Sequence, residues 1–420
     1  MAVRHILCLA AFAALALSSC TFPFDPGIET TDSRIVVEGS ISIGGTSSFS
    51  FSRVFPFTTG EYNAPAMEMT GYIEGENGVR VNSMAIRQDD YTEYYATRDK
   101  VDGGYGGNSF TPQCSLKFDT SKLPADQRYR VHFDEKITGA VYESDWLEVC
   151  QKPVIDELRY ILNYDREEMN VALSMHCPGH SHFRWYYEET WEYHSDLFAT
   201  HYLVPEKMFN ISTGAYQPEA GWFKFQSPEN RYYCWMTVLS PEVKIFSTEE
   251  QAENMFTDLE FHRVSAYSDK LQVMYRLTVH LEAIGEETFR YWQNIEDNTN
   301  NQGSIFAPVP SQMTGNIHCI SDPSAEVIGY VNASQEAVAV MYFDNRKIDF
   351  CKVTSTSWAN LDILEFTDFQ EFAKWYSRGY MPYTYDEMEG KHYWAKARCV
   401  DCRLSGGTKD RPKDWPTDDM

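Results

Sequence analysis

The sequence has little positive charge for its size. Among 420 residues, 36 are lysine or arginine and 61 are aspartate or glutamate, which leaves a formal net charge of -25. A chain this acidic has no general attraction to phosphate backbones or to anionic lipid head groups. The composition therefore excludes nucleic acid as a nonspecific partner.

The chain also lacks the local motifs of common enzyme classes. It contains no Gly-x-Ser-x-Gly elbow, no His-Glu-x-x-His helix and no Walker-type phosphate loop. Because 61 acidic residues make some close carboxylates unavoidable, Glu188, Glu189 and Glu192 do not by themselves identify a glycosidase. We therefore predict a noncatalytic protein and assign no catalytic residue, no cofactor and no metal site.

The apolar run at the amino terminus is too short to cross a membrane. It extends from Ile6 to Leu17, whereas a spanning helix needs about 20 residues. Small residues and then Cys20 follow it, which is the layout of a bacterial lipoprotein signal. We predict that residues 1–19 are a removable signal peptide and that Cys20 is acylated. Thr21 rather than aspartate follows, which favours delivery to the outer membrane, on its periplasmic or cell-surface face. The alternative is an ordinary secretory signal with an incidental Cys20.

Eight of the ten cysteines remain once Cys8 leaves with the signal and Cys20 is acylated. An even number in an oxidising compartment is typical of a disulfide set whose pairing the sequence leaves open. The candidates are Cys114, Cys150, Cys177, Cys234, Cys319, Cys351, Cys399 and Cys402.

Two local groups of cysteines and histidines are also candidates for metal binding or redox activity. Cys399 and Cys402 have the spacing of a redox motif, but no βαβ pattern precedes them, so we interpret them as structural disulfide cysteines. A metal site and redox activity remain alternatives there. The segment 176–182 holds three histidines around Pro178-Gly179, which indicates a surface loop rather than a metal-binding strand. We expect Cys177 in this loop to pair with Cys234.

Period-two alternation of apolar residues predicts a mainly β fold. It is clear over 35–43, 154–162, 169–175 and 271–281, with turn residues between such runs. We predict tandem immunoglobulin-like or fibronectin-like β-sandwich domains with a few short helices and a Cys-rich C-terminal segment. The expected boundaries are a tether over 20–33, a first sandwich over 34–150, a second sandwich over 151–350 with a helical insertion near 286–302, and a C-terminal cap over 351–420.

The aromatic segment 183–193 has the same alternation. It places Trp185, Tyr187 and Trp191 on one side of a strand and Glu188 on the other, so that Glu188 and Glu189 point to opposite faces. Helices are predicted at three places by capping residues and helical spacing, from Thr248 to Met255, from Glu286 to Asn298 and from Thr367 to Tyr376.

Several motifs in the last third of the chain occur in an order and spacing that resemble one family. They are Phe289-Arg290-Tyr291-Trp292, Asn301-Gln302-Gly303, Pro308-Val309-Pro310, Gly315-Asn316-Ile317, Val327-Ile328-Gly329-Tyr330 and Cys399-x-x-Cys402 with Gly406-Gly407, Arg411-Pro412 and Trp415. The chain resembles the domain of unknown function 4249 family of outer-membrane lipoproteins. Arg411 and Asp414 depart from that family's lysine and phenylalanine. The resemblance implies a neighbour of TonB-dependent receptors and assigns no catalytic residues.

These observations favour a noncatalytic outer-membrane lipoprotein that serves as an accessory or ligand-binding partner of a TonB-dependent receptor in nutrient uptake. Two alternatives stay open. One is a secreted hydrolase that acts on glycan or peptide, suggested by the aromatic and carboxylate content. The other is a structural, fimbria-like surface subunit built from tandem sandwiches.

Overall fold

A computed structural model describes residues 34–53, 67–84, 114–208, 212–213, 215–225, 231–240, 244–251, 254–300, 315–353 and 361–416. The predicted signal peptide, Cys20, the tether and the glycine cluster at 103–107 lie outside these residues.

The first sandwich begins the described chain. Its part of the sequence up to residue 150 contains the strands β1 (Ile35–Ser42), β2 (Thr46–Arg53), β3 (Met69–Gly75), β4 (Arg80–Asn82), β5 (Cys114–Asp119), β6 (Tyr129–Glu135), β7 (Val141–Ser144) and β8 (Val149–Cys150). One sheet has the order β5-β2-β1, and the opposing sheet has the order β7-β6-β3-β4. Alternate residues of both sheets fill the core, where Phe49, Phe51 and Phe133 pack edge to face.

The second sandwich follows with the same strand order. The next strands are β9 (Val154–Asn163), β10 (Glu168–His176), β11 (His182–His194), β12 (His201–Leu203), β13 (Trp222–Lys224), β14 (Tyr233–Leu239), β15 (Lys244–Ser247), β16 (Met255–Ser265) and β17 (Met274–Ala283). One sheet has the order β16-β10-β9. The opposing sheet has the order β14-β11-β17, and β15 pairs with the start of β11.

The chain then returns to the first sandwich before it completes the second. The strands of this segment are β18 (Ile317–Cys319), β19 (Val327–Ile328), β20 (Asn332–Ser334) and β21 (Glu336–Asp344). β18 pairs with β7, and β19 and β20 both pair with β1, whereas β21 pairs with β17. The structure therefore differs from the predicted boundary, since 317–334 belong to the first sandwich and not to the second.

Two motif glycines and an asparagine explain how this return is held. A side chain at Gly315 would meet the carbonyl oxygen of Gly329, and one at Gly329 would meet that of Val37, so these backbones can approach only without Cβ atoms. The Asn316 side chain accepts from the backbone N–H of Val331 and donates to its carbonyl, both at 2.8 Å. Gly329 and Val37 are 292 residues apart in the sequence, so the contact between them was not evident from alternation alone.

A third unit combines an excursion between β11 and β14 with the C-terminal part of the chain. It contains the hairpin of β12 and β13, and the sheet formed by β22 (Leu364–Phe366), β23 (Tyr380–Asp386) and β24 (Lys391–Lys396). The Thr200 N–H donates to the Tyr383 carbonyl at 2.6 Å, and Leu203, Phe372, Tyr380 and Trp394 share one apolar cluster. The predicted cap is thus only half of a unit whose other half comes from 195–225.

The helices are short apart from one. They are α1 (Glu286–Asn300), α2 (Asn345–Ile348), α3 (Phe372–Tyr376) and α4 (Ala397–Val400), with 3-10 turns at Pro205–Met208, Pro218–Gly221, Asp269–Leu271, Phe369–Glu371 and Cys402–Ser405. The helix predicted from Glu286 is confirmed, and the one ending at Tyr376 is confirmed in its last two turns. The helix predicted from Thr248 is wrong, because 248–251 form a turn between β15 and β16.

These sheets confirm the predicted fold class, which is mainly β with tandem sandwiches and few short helices. Within the described residues, none of the helices has both the length and the apolar character of a membrane span.

Candidate functional site on the outer face of the second sandwich

Successive side chains of strand β11 alternate between the core of the second sandwich and the outward side of the sheet. Trp185, Glu189 and Trp191 are buried between the two sheets, whereas Tyr186 and Glu188 lie on the opposite side and are partly exposed. The prediction that the adjacent glutamates point to opposite faces is confirmed. The two carboxylates therefore cannot act together on one substrate.

The buried carboxylate of Glu189 is held by three donors. His262 Nε2 lies 3.0 Å away, Lys270 Nζ 2.5 Å away and the Tyr275 hydroxyl 2.8 Å away. Burial alone would raise the pKa of Glu189, but the hydrogen bond and charge of His262 and the charge of Lys270 outweigh it and lower the pKa to about 2. Glu189 is therefore an ionised structural anion, because a general acid needs a raised pKa.

The centre of the outward side holds a stacked pair of rings. The Tyr186 and His280 rings are parallel to within 2° at a centroid distance of 4.5 Å. Oε1 of Glu336 lies 3.1 Å from both the Tyr186 hydroxyl and His280 Nδ1. The three residues come from β11, β17 and β21, so that the sheet itself sets their spacing.

Charged pairs flank this stack along the strands. Arg184 pairs with Glu282, and its guanidinium lies 5.4 Å from the centre of the Trp292 ring of α1. Towards the other end, Arg276 Nη2 lies 3.2 Å from Glu188 Oε1. Between the pairs, Val338 is 51% exposed and Val340 is 48% exposed. We call the surface formed by Arg184, Tyr186, Glu188, Arg276, His280, Glu336, Val338 and Val340 the outer face.

The C-terminal tail closes one end of the outer face. The Trp415 indole N–H donates to Glu192 Oε2 at 3.0 Å, and its ring is 4% exposed. Burial alone would raise the pKa of Glu192, but hydrogen bonds from His194 and Trp415 outweigh it and lower the pKa. The Tyr342 hydroxyl also donates to the Asp414 carbonyl at 3.1 Å. Glu192 is thus used to dock the tail.

The first sandwich carries a matching arrangement on its equivalent sheet. Tyr72 of β3 stacks on His132 of β6 at 4.5 Å and 12°, and His132 Nδ1 lies 2.9 Å from Oε1 of Glu143 on β7. The guanidinium of Arg80 also lies over the Tyr72 ring, 4.3 Å from its centre. Because the strand orders agree, the same tyrosine, histidine and glutamate occupy corresponding strands in the two sandwiches.

A family model for a domain of unknown function, DUF4249, matches residues 21–339, which is more than half of the chain. The chain belongs to the DUF4249 family. The predicted family membership is therefore confirmed, and the match takes in the first sandwich, the second sandwich through β17 and the first four residues of β21. No curated protein matches the sequence closely enough to serve as a relative. The C-terminal motifs at 399–415, including the tail that reaches the outer face, lie beyond the matched residues.

In this DUF4249 chain the histidines of 176–182 flank a turn, with His176 at the end of β10 and His182 at the start of β11, and they point to different neighbours. His176 Nδ1 lies 2.9 Å from Asp156, His180 accepts from the Gln151 N–H at 3.1 Å, and His182 packs on Phe289. The predicted turn at Pro178-Gly179 is confirmed, with Gly179 left-handed at φ of 86°, but the segment is not a surface loop throughout, because Cys177 and His182 are buried. In the described residues, no three His, Cys, Asp or Glu side chains gather in a way that could hold a metal ion.

One disulfide joins the second sandwich to the C-terminal tail. It links Cys234 of β14 to Cys402, with 5.9 Å between the Cα atoms. The predicted pairing of Cys177 with Cys234 is wrong, because Cys234 is bonded to Cys402, and Cys177, which directly follows β10, is a free thiol. Cys399 is also a free buried thiol, and burial together with the hydrogen bond of Asp196 raises its pKa to about 11. Cys150, Cys319 and Cys351 are likewise free thiols, and Cys114 begins β5.

The sequence did not identify the outer face as a site. It marked Glu188 and the alternation that includes His280, but gave no reason to join them with Glu336 or with the two exposed valines. The available signal was weak: Val338 and Val340 alternate with alanines in a strand whose buried residues are Ala337, Met341 and Phe343. The sequence of this strand therefore places apolar side chains on both of its faces.

Proposed function

We propose that this chain is a noncatalytic lipoprotein of the outer membrane that serves as an accessory or ligand-binding partner of a TonB-dependent receptor, with the outer face as its contact surface. The lipoprotein signal that ends at Cys20 supports the anchor and the membrane. The receptor as partner rests on the resemblance to outer-membrane lipoproteins that neighbour such receptors.

The observation that carries this proposal is the composition of the outer face. Its centre exposes Val338 and Val340 on β21, with Val338 paired in register with His280 of the ring stack, and its margins carry the charged pairs of Arg184 and Arg276. An apolar and aromatic centre with a polar, charged rim is the usual anatomy of a protein contact surface. These side chains stand on strands that pair over most of their length, and a contact surface ordered in advance loses less entropy on binding.

The state of the carboxylates supports binding rather than hydrolysis. Glu189 and Glu192 have lowered pKa values and are tied to buried donors, and Glu188 is paired with Arg276. A glycosidase needs one carboxyl group with a raised pKa as its acid and a second carboxylate nearby on the same side of a cleft.

The test is recovery of the receptor with the full-length acylated protein from solubilised outer membranes. We expect a β-barrel receptor to copurify, and the double variant V338E/V340E to reduce its recovery at least tenfold, because two carboxylates would be buried against the partner. V154E is the matched control, since Val154 is 45% exposed on the opposing sheet. Equal recovery with all three proteins would overturn the outer face as the contact, and absence of any barrel protein would overturn the receptor as partner.

The anchor is tested separately with C20A. We expect this variant to lose incorporation of a labelled fatty acid and to move from the membrane fraction to the soluble fraction, because a peripheral acidic body has no other affinity for lipid. C8A is the control, because Cys8 lies inside the predicted signal. Acylation that persists in C20A would contradict the anchor.

A further inference from the structure

An open cavity of about 400 Å³ lies in the third unit, away from the outer face. It is lined by Gly379, Lys396, Ala397, Arg398 and Leu404. These residues come from the turn before β23, the end of β24, α4 and the following 3-10 turn. A volume of this size is within the range of sites that take small molecules.

The charge of the lining is opposite to that of the chain. Although the net charge of the protein is -25, the lining contains two cationic side chains and no carboxylate. The nearest carboxylate oxygen to Lys396 Nζ is that of Asp362, at 3.7 Å. Arg398 is exposed and forms no ion pair with a carboxylate in the described part of the chain. Lys396 Nζ also lies 3.9 Å from the centre of the Tyr380 ring. Two cationic residues that line one space in an acidic protein attract an anion there.

Part of the cavity lining is apolar. Leu404 is 55% exposed. A polar residue at this position would cost the core nothing, so the packing of the core does not explain the leucine. Its backbone is held in place because Cys402, two residues earlier, is bonded to Cys234 of β14. On the other side, the Ala397 N–H donates to the Gly379 carbonyl at 2.9 Å. The cavity is thus formed before any ligand arrives.

We propose that this cavity binds a small organic anion, whose carboxylate or sulfonate pairs with Lys396 and Arg398 and whose apolar body lies against Leu404. A lining that combines two cations with an exposed leucine fits an amphipathic anion better than inorganic phosphate, which has no apolar part. The inference does not depend on the proposed receptor contact, because it concerns other residues in another unit.

The test uses the fluorescent anion 1-anilinonaphthalene-8-sulfonate as probe, titrated into the full-length protein. We expect saturable binding to one site, and about tenfold weaker binding for K396Q and for R398Q, because each removes one charge-assisted contact. K374Q is the matched control, because Lys374 is an exposed cation of the same unit that pairs with Glu371 at 2.7 Å. Its affinity should stay within about twofold of the wild type.

A second probe separates charge from general hydrophobicity. N-phenyl-1-naphthylamine has the same rings without the sulfonate, and we expect it to bind at least tenfold more weakly and to be insensitive to R398Q. Far-ultraviolet circular dichroism of each variant checks that the fold is retained. Equal affinity of wild type, K396Q and R398Q for the sulfonate, or equal binding of the two probes, would overturn the proposal.

Discussion

Replacing His392 by phenylalanine should remove much of the acid sensitivity of the third unit. His392 is fully buried, and neither ring nitrogen has a hydrogen-bond partner among the described residues. Five aromatic rings surround it, from Trp222, Phe366, Phe369, Phe372 and Tyr385, at centroid distances from 4.5 to 6.0 Å. The imidazole is thus held as a neutral, apolar-like ring.

The magnitude follows from the pKa of this histidine. Burial, with a smaller contribution from the nearby His201, lowers the pKa of His392 from 6.5 to about 4. The unfolded chain therefore binds more protons than the folded chain between pH 6.5 and 4, so that stability is complete above pH 6.5 and is lost as the pH falls towards 4. At about pH 5 the loss is about 2 kcal/mol, and the full shift corresponds to about 3 kcal/mol.

Hydrogen–deuterium exchange of the β24 amides, corrected for intrinsic exchange rates, measures this loss. We expect the free energy of opening of the wild type to fall by about 2 kcal/mol between neutral pH and about pH 5, and that of H392F to fall by less than half as much. Part of the pH dependence should remain in H392F because of His201. Burial lowers the pKa of His201, and the charge of Lys224 lowers it further. H318F is the control, because His318 is exposed beside Asp145. An unchanged slope in H392F would refute the reasoning.

Two further predictions concern the second sandwich and its link to the tail. E189Q should lower the free energy of unfolding by about 3 kcal/mol at neutral pH, because Lys270 and His262 would keep their positions without the buried anion that pairs with them. Urea denaturation measures the free energy of unfolding. The control E157Q, at an exposed glutamate, should change this free energy by less than about 0.5 kcal/mol. An equally small loss for E189Q would contradict the stabilising role of the Glu189 network. C402S should cost about 2 to 4 kcal/mol, because the Cys234 bond closes a loop of 168 residues. In thermal denaturation, a reductant should destabilise the wild type but not C402S. If the reductant lowered the stability of both proteins equally, the result would argue against the Cys234–Cys402 bond.

The candidate site could be predicted in part. Alternation along β11 correctly placed Glu188 and Glu189 on opposite faces, since successive side chains of a strand must point to opposite sides. It could not place Glu336 beside Tyr186, because they are 150 residues apart and meet only when β21 pairs with β17. The excursion that carries 317–334 back to the first sandwich separates these strands along the chain.

The same limit applies to the cysteines. Spacing suggested that Cys399 and Cys402 act alike, yet one is a free buried thiol and the other is bonded to Cys234. A disulfide requires two Cα atoms within about 7 Å, and which cysteines come that close depends on the packing of the tail against β14.

By itself, the sequence determined the mainly β class, the start of α1, the faces of β11 and membership of the DUF4249 family. These properties depend on side-chain periodicity and on motifs, which are local and can be read along the chain. Only the tertiary structure decided the shared strand order of the two sandwiches, the two-part third unit, the Cys234–Cys402 bond and the outer face. The physical reason is that each of these depends on contacts between distant segments, whose pairing is selected by the packing of the whole core.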